Sequence, residues 1–260
     1  MKTSNKVSKT KIIKYISIAL LLIIIGSAIA FKIYSLNYYK ADTATISEIE
    51  AQGKATVLDY DDDTLLFIPQ DKDLVKAGIV FYPGGKVEYT AYSGLMYELA
   101  GRGFVCILTR MPENLAFLDI GAASGYGDVI SKVSTWYMAG HSLGGVAAGI
   151  YISEQVQGGN DIPYDGIILL ASYITKDLSE TDLRLLSIYG SNDSVIKMES
   201  YENGKSNWPS DAAEYVIDGG IHSYFGCYGI QAGDGEPSIT NIEQIDQTAD
   251  IIEEWVTMSE

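Results

Sequence analysis

The chain has 260 residues, 47% of them hydrophobic and 20% charged, which suits one sizeable globular core plus a short appendage. Its 34 acidic residues outweigh 18 basic ones for a net charge of -16, a field that repels phosphate backbones and argues against a nucleic-acid partner. With two histidines in the whole chain, and with Cys106 and Cys227 lacking metal-ligand spacing, no metal site is expected.

The charges are unevenly placed. Lys2, Lys6, Lys9, Lys11 and Lys14 precede the first acidic residue, Asp42, and the stretch Tyr15–Phe31 behind them is uncharged and apolar. As a helix it reaches ~25 Å, marginal for a hydrocarbon core of about 30 Å, and Tyr34, Tyr38 and Tyr39 follow as candidate interfacial anchors. The lysines predict a cytoplasmic N-terminus with the remainder exported. The same pattern, with Ala28-Ile29-Ala30 as a small-residue cleavage site, also reads as a signal peptide. We therefore divide the chain into a basic and apolar leader over 1–31, a linker over 32–54 with a helical piece around Ile46–Glu50, and a domain over 55–260. The domain is membrane-anchored if the leader stays and secreted if it is cut.

Within the domain, Ala55–Tyr60 and Thr64–Ile68 flank Asp61-Asp62-Asp63 as a β-hairpin. Ala77–Tyr82 is a continuous apolar run, the mark of a strand buried on both faces, and it ends at Pro83-Gly84-Gly85. A helix over Tyr89–Ala100 stops at Gly101 and Gly103, and Phe104–Leu108 is the next buried strand, with Cys106 as a small hydrophobe. A helix is expected somewhere in Asn114–Val133. Then come a strand at Thr135–Ala139, a turn at Gly140–Gly144 and a helix over Gly145–Gln155. Strands at Gly166–Ala171 and Leu183–Tyr189, a helix near Ile196–Asn203, a strand at Glu214–Ile217 and an amphipathic helix over Ile239–Met258 complete the chain. This alternation predicts an α/β fold with a mostly parallel sheet and helices on both faces.

Three chemistry-bearing residues fall at strand ends. Ser142 sits in Gly140-His141-Ser142-Leu143-Gly144, between an apolar strand and a helix, where a sharp turn needs small neighbours two positions either side. Asp193 follows Tyr189-Gly190-Ser191-Asn192, and His222 follows Asp218-Gly219-Gly220-Ile221, each just past a strand. A serine hydroxyl needs an imidazole to take its proton. Of the two histidines, His141 adjoins the serine with its ring expected to point elsewhere, which leaves His222 as the base.

The chain order Ser142, Asp193, His222, each at a strand end, resembles the α/β-hydrolase superfamily over about residues 55–258, closest to small esterase-like members without a cap. The resemblance implies an oxyanion hole from the loop after the third strand, here Pro83-Gly84-Gly85-Lys86. The N–H groups of Leu143 and Gly85 are the expected donors, with Lys86 as a rival to Gly85. It also implies a serine hydrolase that forms an acyl-enzyme on carboxylic esters and needs no cofactor. The short stretch between Ala171 and Leu183 leaves no room for a helical lid, so the expected partner is a small or surface-accessible ester. Leu115, Phe117 and Leu118 are candidates for the acyl pocket, and Tyr224 and Phe225 for its walls. The alternative of another class is a catalytically idle binding or scaffold protein on the same fold at the cell surface.

Overall fold

The protein is described from a computed structural model, covering residues 9–126, 129, 133–160 and 162–258. These divide between Asn37 and Tyr38 into two units. The first unit contains one long helix, α1 (Lys9–Leu36). Its segment Ile13–Leu36 runs past the Phe31 boundary read from the sequence, and at ~1.5 Å per residue it is long enough for a hydrocarbon core of about 30 Å. An apolar helix of this length near the N-terminus serves equally as an anchor or as a signal sequence.

The second unit begins inside the stretch expected to be a tether. The Tyr39 N–H donates to the Lys86 carbonyl and the Glu88 N–H donates to the Tyr39 carbonyl, both at 2.8 Å. Helix α2 (Thr43–Glu50) follows, capped by the Asp42 carboxylate, which accepts from the Ala44 and Thr45 N–H groups. Ile46 and Ile49 on this helix are buried in the core, so residues from Tyr38 onward belong with the domain rather than with a polar linker.

Eight strands form one sheet among the described residues: β1 (Ala55–Asp61), β2 (Thr64–Pro69), β3 (Ala77–Tyr82), β4 (Phe104–Thr109), β5 (Trp136–His141), β6 (Gly166–Leu170), β7 (Arg184–Gly190) and β8 (Asp211–Ile217). Their spatial order is β1-β2-β4-β3-β5-β6-β7-β8. The β1–β2 hairpin and the β2–β4 pair are antiparallel, and every later pairing is parallel. Alternation in the apolar strands feeds two cores. Ile79 and Phe81 of β3, Tyr137 and Ala139 of β5 and Ile168 and Leu170 of β6 face one layer. Val80, Tyr82, Trp136, Met138, Ile167 and Leu169 face the other. Continuous apolar runs are what such double burial requires.

Helices α3 (Ser93–Gly101) and α6 (Asn241–Thr257) close the first layer, and α4 (Leu143–Gln157) closes the second. A short α5 (Met198–Gly204) lies between β7 and β8. Helix α6 starts where Thr240 and Glu243 form a capping box, each side chain satisfying the other's backbone N–H, and its buried face carries Ile245, Ala249, Ile252 and Trp255.

Of the helix expected within Asn114–Val133, the described residues carry only the helical Val129. Before it, three separate 3-10 turns, Pro112–Asn114, Ala116–Leu118 and Ala122–Tyr126, occupy the first part of the stretch. Glu113 and Asn114 take positive φ values of 53° and 56°, which a continuing right-handed helix cannot accommodate. Residues 127–128 and 130–132 of that expectation lie outside the described residues. Cys106 and Cys227 are both buried free thiols.

Candidate active site

Strand β5 passes into α4 through Ser142, whose backbone adopts φ 51°, ψ -121°. A serine avoids this region unless its surroundings fix it. They do so here: the Ser142 N–H donates to the Leu170 carbonyl at 2.9 Å. Its own carbonyl accepts from the Gly145 N–H at 3.1 Å and from the Ser172 hydroxyl at 2.7 Å. The flanking glycines answer to close approach. A Cβ on Gly140 would lie 2.6 Å from the backbone of Gly144, and one on Gly144 would collide with the carbonyls of Tyr82 and Pro83. Helix and strand can meet at that angle only with hydrogen at both positions.

Asp193 and His222 follow the C-terminal ends of the neighbouring strands β7 and β8. The His222 Nδ1–H donates to Asp193 Oδ2 at 2.8 Å, and both side chains are almost wholly buried, 2% and 0% exposed. The other carboxylate oxygen accepts the N–H groups of Val195 and Ile196, each at 2.8 Å, so the acid is held by three donors. With Nδ1 committed as a donor, Nε2 is the nitrogen left to accept a proton.

Two further residues fix the backbone around His222, and neither was singled out from sequence. Gln244 on the buried face of α6 accepts the Ile221 N–H at 2.9 Å and donates to the Ile221 carbonyl at 2.8 Å. The Asp234 carboxylate accepts the N–H groups of His222 at 3.2 Å and Ser223 at 2.8 Å, and also the Ser223 hydroxyl. A polar residue beside Ile245 on a largely apolar helix face was the available signal for Gln244; Asp234, in a Gly-Asp-Gly turn, gave none.

The two N–H groups expected to serve an oxyanion, those of Leu143 and Gly85, have no acceptor among the described residues. They belong to neighbouring residues: a Cβ built on Gly85 would lie 2.7 Å from Cδ2 of Leu143. Lys86 is a different case. Its N–H donates to the Asn114 carbonyl at 2.8 Å, which removes it as the rival donor.

His141 is 1% exposed, and neither ring nitrogen serves Ser142. Nδ1 pairs with the Tyr92 hydroxyl at 2.8 Å and Nε2 with the His222 carbonyl at 3.1 Å. Burial, reinforced by the nearby His222, holds its pKa well below the ordinary value.

Ser142 and His222 line one cavity of about 220 Å³, walled by Val146, Ala171, Val195 and Ile196. Leu115, Phe117 and Leu118 are not among its lining residues, and Phe117 and Leu118 are exposed on the 3-10 turn Ala116–Leu118. Phe225 does not wall it either: it is fully buried, with its ring 5.7 Å from that of His141. The segment between Ala171 and Leu183 contains no helix and so no helical lid. A larger cavity of about 490 Å³, bordered by Asp61, Arg110, Glu113 and Tyr126, shares no residue with the Ser142 cavity. Among the described residues, no cluster of three or more His, Cys, Asp or Glu is placed to hold a metal.

No curated protein shows significant similarity to the chain. The model of the Alpha/beta hydrolase family matches residues 78–246, from β3 into α6, and so takes in Ser142, Asp193 and His222. With a sheet in which only β2 runs antiparallel to its neighbours, and with that match over more than half its length, the chain belongs to the alpha/beta hydrolase family.

Proposed function

We propose that the protein is an exported serine hydrolase that cleaves short-chain carboxylic esters, with Ser142 as nucleophile, His222 as base and Asp193 as the group that orients it. The observation that carries this reading is the Asp193–His222 pair, bonded at 2.8 Å, whose imidazole lines the same small cavity as a serine held at positive φ. His222 Nε2 takes the Ser142 proton as Oγ bonds to the ester carbonyl carbon. The leaving alkoxide departs with that proton, and water, deprotonated in turn by His222, releases the acid. Asp193 keeps the imidazole in the Nδ1–H tautomer and stabilises its charged form. The Leu143 and Gly85 N–H groups, bonded to no acceptor among the described residues, would receive the oxyanion, a contribution of about 3–4 kcal/mol per donor in sites of this kind. A cavity of about 220 Å³ is below the ~300–1,000 Å³ usual for ligand sites, which favours a short acyl group. Helix α1 would hold the domain at the outer membrane face, or release it if cleaved.

A fluorophosphonate probe tests the reading. Wild-type protein should label, and Ser142→Ala and His222→Ala should abolish both labelling and p-nitrophenyl butyrate hydrolysis. Labelling that persists in Ser142→Ala, or a wild type inert to probe and ester alike, would overturn it.

A further inference from the structure

We infer that Tyr92 and His141 form a buried positioning pair that locks the oxyanion loop to the backbone of the catalytic base. The inference rests on the serine-hydrolase reading and extends it to two residues that touch no substrate.

The donors and acceptors run in one direction. The Gly84 N–H donates to the Tyr92 hydroxyl at 3.0 Å. The His222 carbonyl can only accept, so His141 carries its proton on Nε2 and donates there at 3.1 Å. His141 Nδ1 is then an acceptor, and the Tyr92 hydroxyl donates to it at 2.8 Å. Three bonds in series thus join the loop before β3's helical successor to the turn that carries His222, passing through the strand end that presents Ser142. Tyr92 and His141 are buried, and the loop packs hard on both: a Cβ on Gly84 would lie 2.6 Å from the Tyr92 hydroxyl oxygen and 2.7 Å from His141 Nδ1. The rings of Phe225 and Tyr228, centred 5.7 and 6.5 Å from that of His141, fill the surrounding space.

Gly84 precedes Gly85, whose N–H is a proposed oxyanion donor, and the His222 carbonyl is on the residue that moves the proton. A shift of either backbone changes the distances that matter only once the oxyanion and imidazolium form. Misplacement of that kind lowers the rate of the chemical step while leaving ground-state binding alone. The polarity of the pair also defines a conservative replacement. Glutamine at 141 offers one acceptor and one donor, as the neutral imidazole does, whereas leucine offers neither.

The test compares Tyr92→Phe, His141→Leu and His141→Gln with wild type in the full chain, assayed with p-nitrophenyl butyrate well below each variant's thermal midpoint. Tyr92→Phe, which keeps the ring and removes only the hydroxyl, should lower kcat by about 10-fold or more with KM within about twofold. His141→Leu should lower kcat further, about 100-fold, and His141→Gln should recover most of that loss. Labelling by the fluorophosphonate should slow in the same order. Unchanged kcat in Tyr92→Phe, or a glutamine variant no better than leucine, overturns the inference while the hydrolase reading stands. If His141→Leu fails to fold, Tyr92→Phe decides alone. A wild type inert to both reagents removes the hydrolase reading and this inference with it.

Discussion

Asp193 and His222 stand 29 positions apart in the chain, and their carboxylate and imidazole meet at 2.8 Å because β7 and β8 are parallel neighbours that end side by side. Functional groups collect at the C-terminal edge of a parallel sheet for this reason: consecutive strands deliver their following loops to one rim. The acid is itself held by the Val195 and Ile196 N–H groups, so its orientation is set before the imidazole arrives.

Replacing the acid by its amide tests that orientation. In Asp193→Asn the side-chain oxygen can still accept from the two backbone N–H groups, which turns the NH2 toward Nδ1 and forces the proton onto Nε2. His222 then cannot accept from Ser142. The expected outcome is a fall in kcat on the order of 10³–10⁴-fold at neutral pH with a near-native thermal midpoint, read from steady-state ester hydrolysis.

His141 makes stability depend on pH. Its folded-state pKa lies well below the ordinary 6.5, so below pH 6.5 the unfolded chain binds a proton that the folded chain does not. The contribution is therefore complete above pH 6.5 and is lost as pH falls toward the folded value, at up to about 1.4 kcal/mol per pH unit for one proton. Thermal midpoints measured from pH 7.5 to 5 should fall more steeply for wild type than for His141→Gln. Parallel curves would show that His141 is not the group responsible.

The strands were legible in the sequence because double burial writes itself as runs such as Ala77–Tyr82 and Gly166–Leu170, and their observed limits differ from the expected ones by at most three residues, the largest gap being at the start of β8. The glycines around Ser142 and the strand-end positions of Asp193 and His222 were legible for a related reason: tight approach and topology both leave local marks. What was not legible depends on contacts distant in sequence. Nothing near Asn114 says that its carbonyl will occupy the Lys86 N–H, and the apolar run Leu115–Leu118 gives no sign that the chain before it is broken by positive φ at Glu113 and Asn114. The burial of Ile46 and Ile49 likewise follows from packing against α3, not from the polar sequence around them.

Asp234 illustrates a residue of that second kind. Its carboxylate closes the turn bearing His222 by accepting two N–H groups and a hydroxyl, so Asp234→Ala strands buried donors. The expected outcome is a loss of about 1–3 kcal/mol in stability by urea unfolding, and a lower kcat at unchanged KM. Stability equal to wild type would mean that water replaces the carboxylate without cost.

The cavity beside Ser142 yields the last prediction. Its volume of about 220 Å³ and its walls of Val146, Ala171, Val195 and Ile196 are short for a long chain, and no helix stands between Ala171 and Leu183 to extend it. In a p-nitrophenyl series from acetate to palmitate, kcat/KM should peak at short acyl groups and fall steeply beyond them. Val146→Ala removes two methyl-sized volumes from the wall at a position in the first turn of α4, just past Ser142. It should move the peak to longer acyl groups, each added methylene in an apolar site being worth about 0.8 kcal/mol. A flat series, or one rising to palmitate in the wild type, would place the acyl chain outside this cavity and against the open surface.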